Sequence, residues 1–235
     1  MRVDPRRALR LAVLVCWAGF FAYLWLSGEM TRYLGPRTYW VVVFGGVVLT
    51  LAAIGHLVTL RTAAPQAPTV GEVLGHLLLL APIAAVLAVP QAELGALAAA
   101  KKSSGGGIVS VTSILPPEPK PGAPLSFIDI HFAERSQPYA DAVGAAEGTG
   151  VTLTGFVSRL PGEAGTFELT RFYVSCCAAD AIPYSVEVEA SGLPASVALD
   201  DWLRVEGELA PGGDGFVVRP SSIEQVDTPK EPYLY

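Results

Sequence analysis

The chain has 235 residues, 51% of them hydrophobic and 16% charged, with a formal net charge of −6. An unfolded polar chain is excluded by the apolar content, and a disulfide-stapled miniprotein by the presence of three cysteines alone. The charge is split. Residues 1–107 carry nine Lys/Arg and four Asp/Glu, whereas residues 108–235 carry seven and eighteen, which predicts two parts in different surroundings.

Leu9 to Leu26 (LRLAVLVCWAGFFAYLWL) is apolar apart from Arg10, and Tyr39 to Leu60 (YWVVVFGGVVLTLAAIGHLVTL) has no Asp, Glu, Lys or Arg. Each reaches the ~18–20 residues needed to cross ~30 Å of hydrocarbon at 1.5 Å per residue. Trp25, Tyr33, Tyr39 and Trp40 fall near the ends, where amphipathic rings favour the headgroup layer. A third stretch, Leu74 to Val89, has sixteen residues and includes Pro82. It is expected to span with tilt or local thinning; the alternative is an interfacial or re-entrant segment.

Arg2, Arg6, Arg7 and Arg10 place the N-terminus on the cytoplasmic side. Three spans then put the acidic half outside the cytoplasm, and two would put it inside. The first apolar run is long for a signal peptide and lacks a small-x-small cleavage site, so a signal anchor is preferred. The sequence thus divides into a transmembrane anchor at 1–100, Ser/Gly and Pro-rich linkers at 101–124, and an acidic domain at 125–235. The first linker, Lys101 to Gly107, reads as a tether, and Pro116 to Pro124 as extended chain. Ile108 to Leu115 between them could form a short strand.

Phe127, Ile130 and His131 fit one face of a short helix, although the stretch also alternates as a strand would. From Gly150 onward, five strand-like runs are bounded by turn residues: 151–160, 166–176, 184–190, 202–210 and 215–226. The fold class predicted is α+β: transmembrane helices followed by a small all-β barrel of the OB type, with a connecting helix at Leu193–Asp201. Another five-stranded sandwich or open barrel is the alternative. Glu168, Glu187, Glu189, Glu206 and Glu208 outnumber Arg159, Arg171, Arg204 and Arg219 on the strands. A nucleic-acid partner is disfavoured, because phosphates need a cationic surface.

Cys176 and Cys177 are adjacent, and Asp180 follows in the run CCAAD. If the chain turns there, two thiolates with Asp180 could hold zinc or another soft metal, or exchange disulfides, and His131 could add a nitrogen ligand. The alternatives are a structural turn capped by Asp180 and a vicinal disulfide. His56 and His76 flank the loop between the second and third spans, so they are expected at similar depth as an intramembrane pair; hydrogen bonding to headgroups or water is the alternative. No nucleophile elbow, P-loop, dinucleotide fingerprint or HExxH occurs, so an enzyme is not expected, nor a cofactor beyond a possible metal.

The segments SGEMTRYLGPR, VPQAELGALAAAKKSSG and GFV…FELTRFYVSCCAADAIPYSVEV…DDWLRVEGEL together resemble the YcgQ-type family of bacterial membrane proteins. Arg171, Cys176, Cys177 and Asp180 look like its signature. The resemblance implies a subunit of a two-component membrane permease complex in the cell membrane, partnered by a multi-spanning permease within the lipid bilayer. Some relatives have a Cys/His-rich loop after the second span; RTAAPQAPTVGEV here has none. The rival expectation is a membrane-tethered metal-binding or thiol-redox protein.

Overall fold

The computed structural model describes residues 4–59, 67–88, 94–103, 116–163, 165–213 and 215–235. The expected strand at 108–115 lies outside them, as does the tether from residue 104 onward. The chain forms two compact units, Met1–Glu93 and Leu94–Tyr235.

The first unit contains α1 (Pro5–Ser27), α2 (Tyr39–Thr59) and α3 (Val70–Ala88). Asp4 caps α1 by accepting from the Arg6 N–H at 3.1 Å, and Gly28 ends it in the left-handed region at φ 76°. All three helices are long and apolar enough to cross a membrane. The third gains length from its first turn. Thr69 and Glu72 cap each other there: the Thr69 N–H donates to Glu72 Oε2 at 2.8 Å and the Glu72 N–H to Thr69 Oγ1 at 3.3 Å. The helix therefore starts at Val70 and runs nineteen residues, with Pro82 inside it. Arg6 pairs with Glu72 at 3.1 Å and donates to the Ala67 carbonyl at 3.2 Å. The N-terminal ends of α1 and α3 thus meet, and the two helices start from the same side.

The second unit is built on β1 (Gly150–Arg159), β2 (Thr166–Tyr173), β3 (Ile182–Glu189), β4 (Trp202–Pro211) and β5 (Phe216–Gln225). They close into a barrel in the order β1-β2-β3-β5-β4. Every pairing is antiparallel except the short parallel one between β3 and β5, Glu187 with Val217 and Val188 with Val218. This is OB-type connectivity. Alternation along the strands sends Leu153, Phe167, Leu169, Val186, Val188, Leu203 and Val205 into the core. At Gly155 the strands approach so closely that a Cβ would lie 2.6 Å from the Thr170 carbonyl oxygen and 2.9 Å from the Phe127 ring.

Two short helices pack into this core. In α5 (Phe127–Ala133), Ser126 and Asp129 form a capping box, and Phe127 and Ile130 are buried. In α6 (Gln137–Val143), Ser136 caps the start and Gly144 ends the helix at φ 74°. The connecting helix expected at Leu193–Asp201 is absent; the segment forms successive turns. Pro194 supplies no N–H, and Asp200, at φ 73°, turns the chain back. The Asp200 N–H then donates to the Val157 carbonyl, and the Val157 N–H to that of Asp201. Outside the barrel, a row of hydroxyls crosses three strands: Ser158 to Thr170 at 2.6 Å and Thr170 to Ser185 at 2.7 Å, with Ser158 donating to Glu168 Oε1 at 2.9 Å. Thr170 is fully buried.

Candidate functional site

Arg171 and the Cys176–Asp180 run lie beside a second hydrophobic cluster on the outer surface of the barrel. Because successive strand residues face opposite ways, Phe156 on β1 and Phe172 on β2 point away from the barrel core. They meet Val174, Ala181, Trp202 and Tyr233 there. Phe156 and Phe172 stack at 5.6 Å between centroids, and Trp202 meets Phe156 edge-on at 5.9 Å. In water this cluster would expose a large apolar patch. Two segments cover it.

The first is α4 (Ala96–Lys101), whose Ala96 and Ala99 are buried. Its first N–H, on Ala96, donates to Asp200 Oδ1. Gly95 makes room for that carboxylate, since a Cβ there would lie 2.3 Å from the same oxygen. Beyond the other end of α4, Lys102 donates to the Ala179 carbonyl at 3.0 Å. Leu94–Lys101 thus packs with the β unit, its alanines presenting a surface flat enough to lie against the aromatic cluster. The second cover is the C-terminal segment. The Leu234 N–H donates to the Phe172 carbonyl at 2.7 Å and the Val174 N–H to the Leu234 carbonyl at 3.0 Å, which extends the sheet beside β2 and inserts Tyr233.

Arg171 holds that segment. Its guanidinium donates to the carbonyls of Glu231 at 2.7 Å, Pro232 at 3.3 Å and Thr154 at 3.3 Å. This fits a planar fork of fixed donors, a geometry lysine lacks.

The CCAAD run forms the turn between β2 and β3. Cys176 is exposed, Cys177 is partly buried, neither is in a disulfide, and their sulfurs lie 3.8 Å apart. Asp180 closes a 3-10 turn, Ala178–Asp180, and accepts from the N–H groups of Ser175 at 3.2 Å and Cys176 at 2.8 Å. Partial burial works to raise its pKa, but hydrogen bonds from the Cys176 thiol and from nearby backbone N–H groups outweigh this and hold the carboxyl below its ordinary range. The anionic Asp180 and the neighbouring Cys177 in turn push the Cys176 thiol up to about 11.

His131 lies on α5, half-buried, with its ring edge-on to Tyr184 at 4.9 Å and Phe132 at 5.4 Å. Its Nδ1 stands 3.0 Å from Arg135 Nη1. Burial first, and then the Arg135 charge, lower its pKa to about 4. Among the described residues, no group of three or more His, Cys, Asp or Glu is placed to hold a metal ion. The expected set of Cys176, Cys177 and Asp180 with His131 is therefore not assembled. The Asp180 oxygens accept from the backbone and the Cys176 thiol of their own loop, and His131 packs among aromatic rings.

His56 stands three residues before the end of α2, and His76 lies in the second turn of α3, where its Nδ1 meets the Glu72 carbonyl at 2.6 Å. In that contact Nδ1 donates to the carbonyl. Sequence reasoning missed Trp202 and Tyr233 as parts of the cluster and Asp200 as the cap of α4. The signals were weak: an Asp pair before a strand, and a Pro-Tyr-Leu-Tyr run.

Two family models match the chain: the DUF1980 N-terminal domain over residues 9–104 and the DUF1980 C-terminal domain over residues 124–235. No curated protein matches. Among solved structures, "OBody AM1L10 bound to hen egg-white lysozyme" is similar at 22% identity and a TM-score of 0.25, covering 34% of this chain and 81% of that one. The chain carries both domains of the DUF1980 family, whose function is uncharacterised.

Proposed function

We propose that this DUF1980 protein is an accessory subunit of a bacterial membrane permease complex, of the kind implied by its likeness to YcgQ-type proteins. It is a multi-pass cell-membrane protein whose acidic OB-like domain lies on the extracytoplasmic side. The observation that carries this reading is how little the spans bury. Among the described residues, Val13, Val42 and Ala53 are the buried hydrophobic positions of the three helices. So thin a bundle encloses no polar path of its own, while large apolar faces on α2 and α3 remain for lipid or for partner helices.

The orientation is supported by the Arg6–Glu72 pair. With α1 and α3 starting from one side and Arg6, Arg7 and Arg10 gathered there, the positive-inside rule assigns that side to the cytoplasm and the exit of α3 to the opposite one. The acidic surface suits cations or a basic partner face at a pore mouth. The role needs neither catalysis nor a bound cofactor.

The test is photo-crosslinking in native membranes from Val47 and Leu51, which line an apolar groove of about 490 Å³ beside α1. A crosslink to one polytopic protein, whose transport falls when this chain is deleted, is expected. Crosslinks to lipid alone, with transport unchanged, would overturn the proposal.

A further inference from the structure

The acidic unit leaves one part of its surface without net charge. In the β3–β4 connection, residues 190–199 (ASGLPASVAL) contain no Asp, Glu, Lys or Arg, and neither do residues 94–100 (LGALAAA) leading into and through α4. These two segments meet, because Asp200 at the end of the connection accepts from the Ala96 N–H at the start of α4. Leu97 is 71% exposed and Leu199 48%. Leu160, 42% exposed, follows β1 beyond the two hydrogen bonds that tie Val157 to Asp200 and Asp201.

The two carboxylates that border this face are turned onto backbone. Asp200 caps α4, and Asp201 accepts from the Ala198 N–H at 2.8 Å. Lys101 stands one turn after Leu97 on the same exposed side of α4.

Leu97, Leu199 and Leu160 lie open around the meeting point of these two uncharged segments, and apolar side chains grouped in this way mark a contact surface. The occupant follows from the chain itself. Seven residues, 89–95, separate the end of α3 from the start of α4. Fully extended they reach about 25 Å, so the bilayer surface where α3 ends is within range of Leu97. We infer that Leu97, Leu199 and Leu160, flanked by Lys101, form a membrane-resting face that dips into the headgroup–acyl boundary and holds the barrel against the bilayer. The partner is the lipid surface. The inference rests on the reading of α1 to α3 as membrane spans.

Contact of this kind uses shallow apolar burial, worth about 25 cal/mol per Å², and needs little ordering because the connection from α3 to α4 is short.

The experiment places single nitroxide labels on the full chain in phospholipid nanodiscs, in a background with Cys16, Cys176 and Cys177 replaced by serine. Labels at 97 and 199 are compared with one at Glu208, at the far end of β4, and one at Leu51, inside α2. At 97 and 199, access to oxygen is expected to exceed access to an aqueous nickel chelate several-fold, with the reverse at 208. Equal nickel access at 97, 199 and 208 would overturn the inference. So would low access to both reagents at 97 and 199, which signifies a covering protein.

The label at 51 separates the two readings, since nickel access there would sink the spanning assignment itself. A second measurement guards against labels that disturb the contact. Bimane at Ser196 should be quenched by headgroup-proximal nitroxide lipids, and the pair Leu97→Asp and Leu199→Asp should reduce that quenching at least twofold.

Discussion

Arg171 lays its guanidinium 5.9 Å from the ring centroid of Trp202, while its donors reach out to Thr154, Glu231 and Pro232. One residue thereby joins β1, β4 and the C-terminal segment. Replacing it with alanine leaves three carbonyls without their donor, and a loss of about 2–3 kcal/mol is expected. Arg171→Lys should recover less than half, because an ammonium cannot serve three directions at once. Hydrogen exchange at the Leu234 and Val174 amides in the full chain reads the effect. Unchanged protection in Arg171→Ala would show that the segment is held by Tyr233 alone.

The attachment of α4 depends on its cap. Asp200→Ala should weaken it by roughly 0.5–2 kcal/mol, seen as several-fold faster exchange in α4 with the strands unaffected. Asp200→Asn should stay near the parent, since it keeps an acceptor and tolerates the left-handed backbone. Equal exchange in all three proteins would mean that alanine packing suffices.

Acid should loosen the barrel before its exposed carboxylates titrate. His131 in the folded chain titrates at about 4, against about 6.5 in an unfolded chain. Between those values the unfolded state binds the extra proton. Stability is therefore full above about pH 6.5 and falls as the pH drops toward 4. With a half-exposed ring the loss is about 1–2 kcal/mol after screening. Glu134 works against this slope, because burial raises its pKa even though the Phe216 N–H and Arg135 oppose that rise. Denaturation midpoints at pH 7.5 and 5 should converge in His131→Phe and separate further in Glu134→Gln. An unchanged slope in His131→Phe would remove the histidine from the account.

The Cys176 thiol should be a poor nucleophile despite its exposure. With a pKa of about 11, about a thousandth is thiolate at pH 8, against roughly a quarter for an ordinary cysteine. Alkylation in a Cys16→Ser, Cys177→Ser background should be slow, and Asp180→Asn should speed it about tenfold or more. Fast modification of the parent would show that Asp180 does not suppress the thiolate.

The spans were legible in the sequence because their apolar runs are long, and the strands because the barrel demands alternation; β1 to β5 fall within a few residues of the predicted runs. The helix on Phe127 and Ile130 was legible too, and its cap was already written as Ser126 and Asp129. What escaped was tertiary. Nothing local says that the alanines of α4 belong to the barrel rather than to the anchor, because the aromatics they cover lie more than fifty residues further on. His131 looked like a ligand by residue type. Only the packing of Tyr184 and Phe132 around it shows a ring placed for its shape.

The hydroxyls of Ser158, Thr170 and Ser185 form a row with a direction. Each carries a single proton and can give it one way only. Glu168 receives from Ser158 at 2.9 Å, a shorter contact than its 3.4 Å one from Thr170; in that arrangement Ser158 accepts from Thr170, and Thr170 from Ser185. One carboxylate at the end of the line thus orients dipoles on three successive strands. Remove its negative charge and the row is free to reverse, so the alignment of β1, β2 and β3 carries a polarity as well as a register.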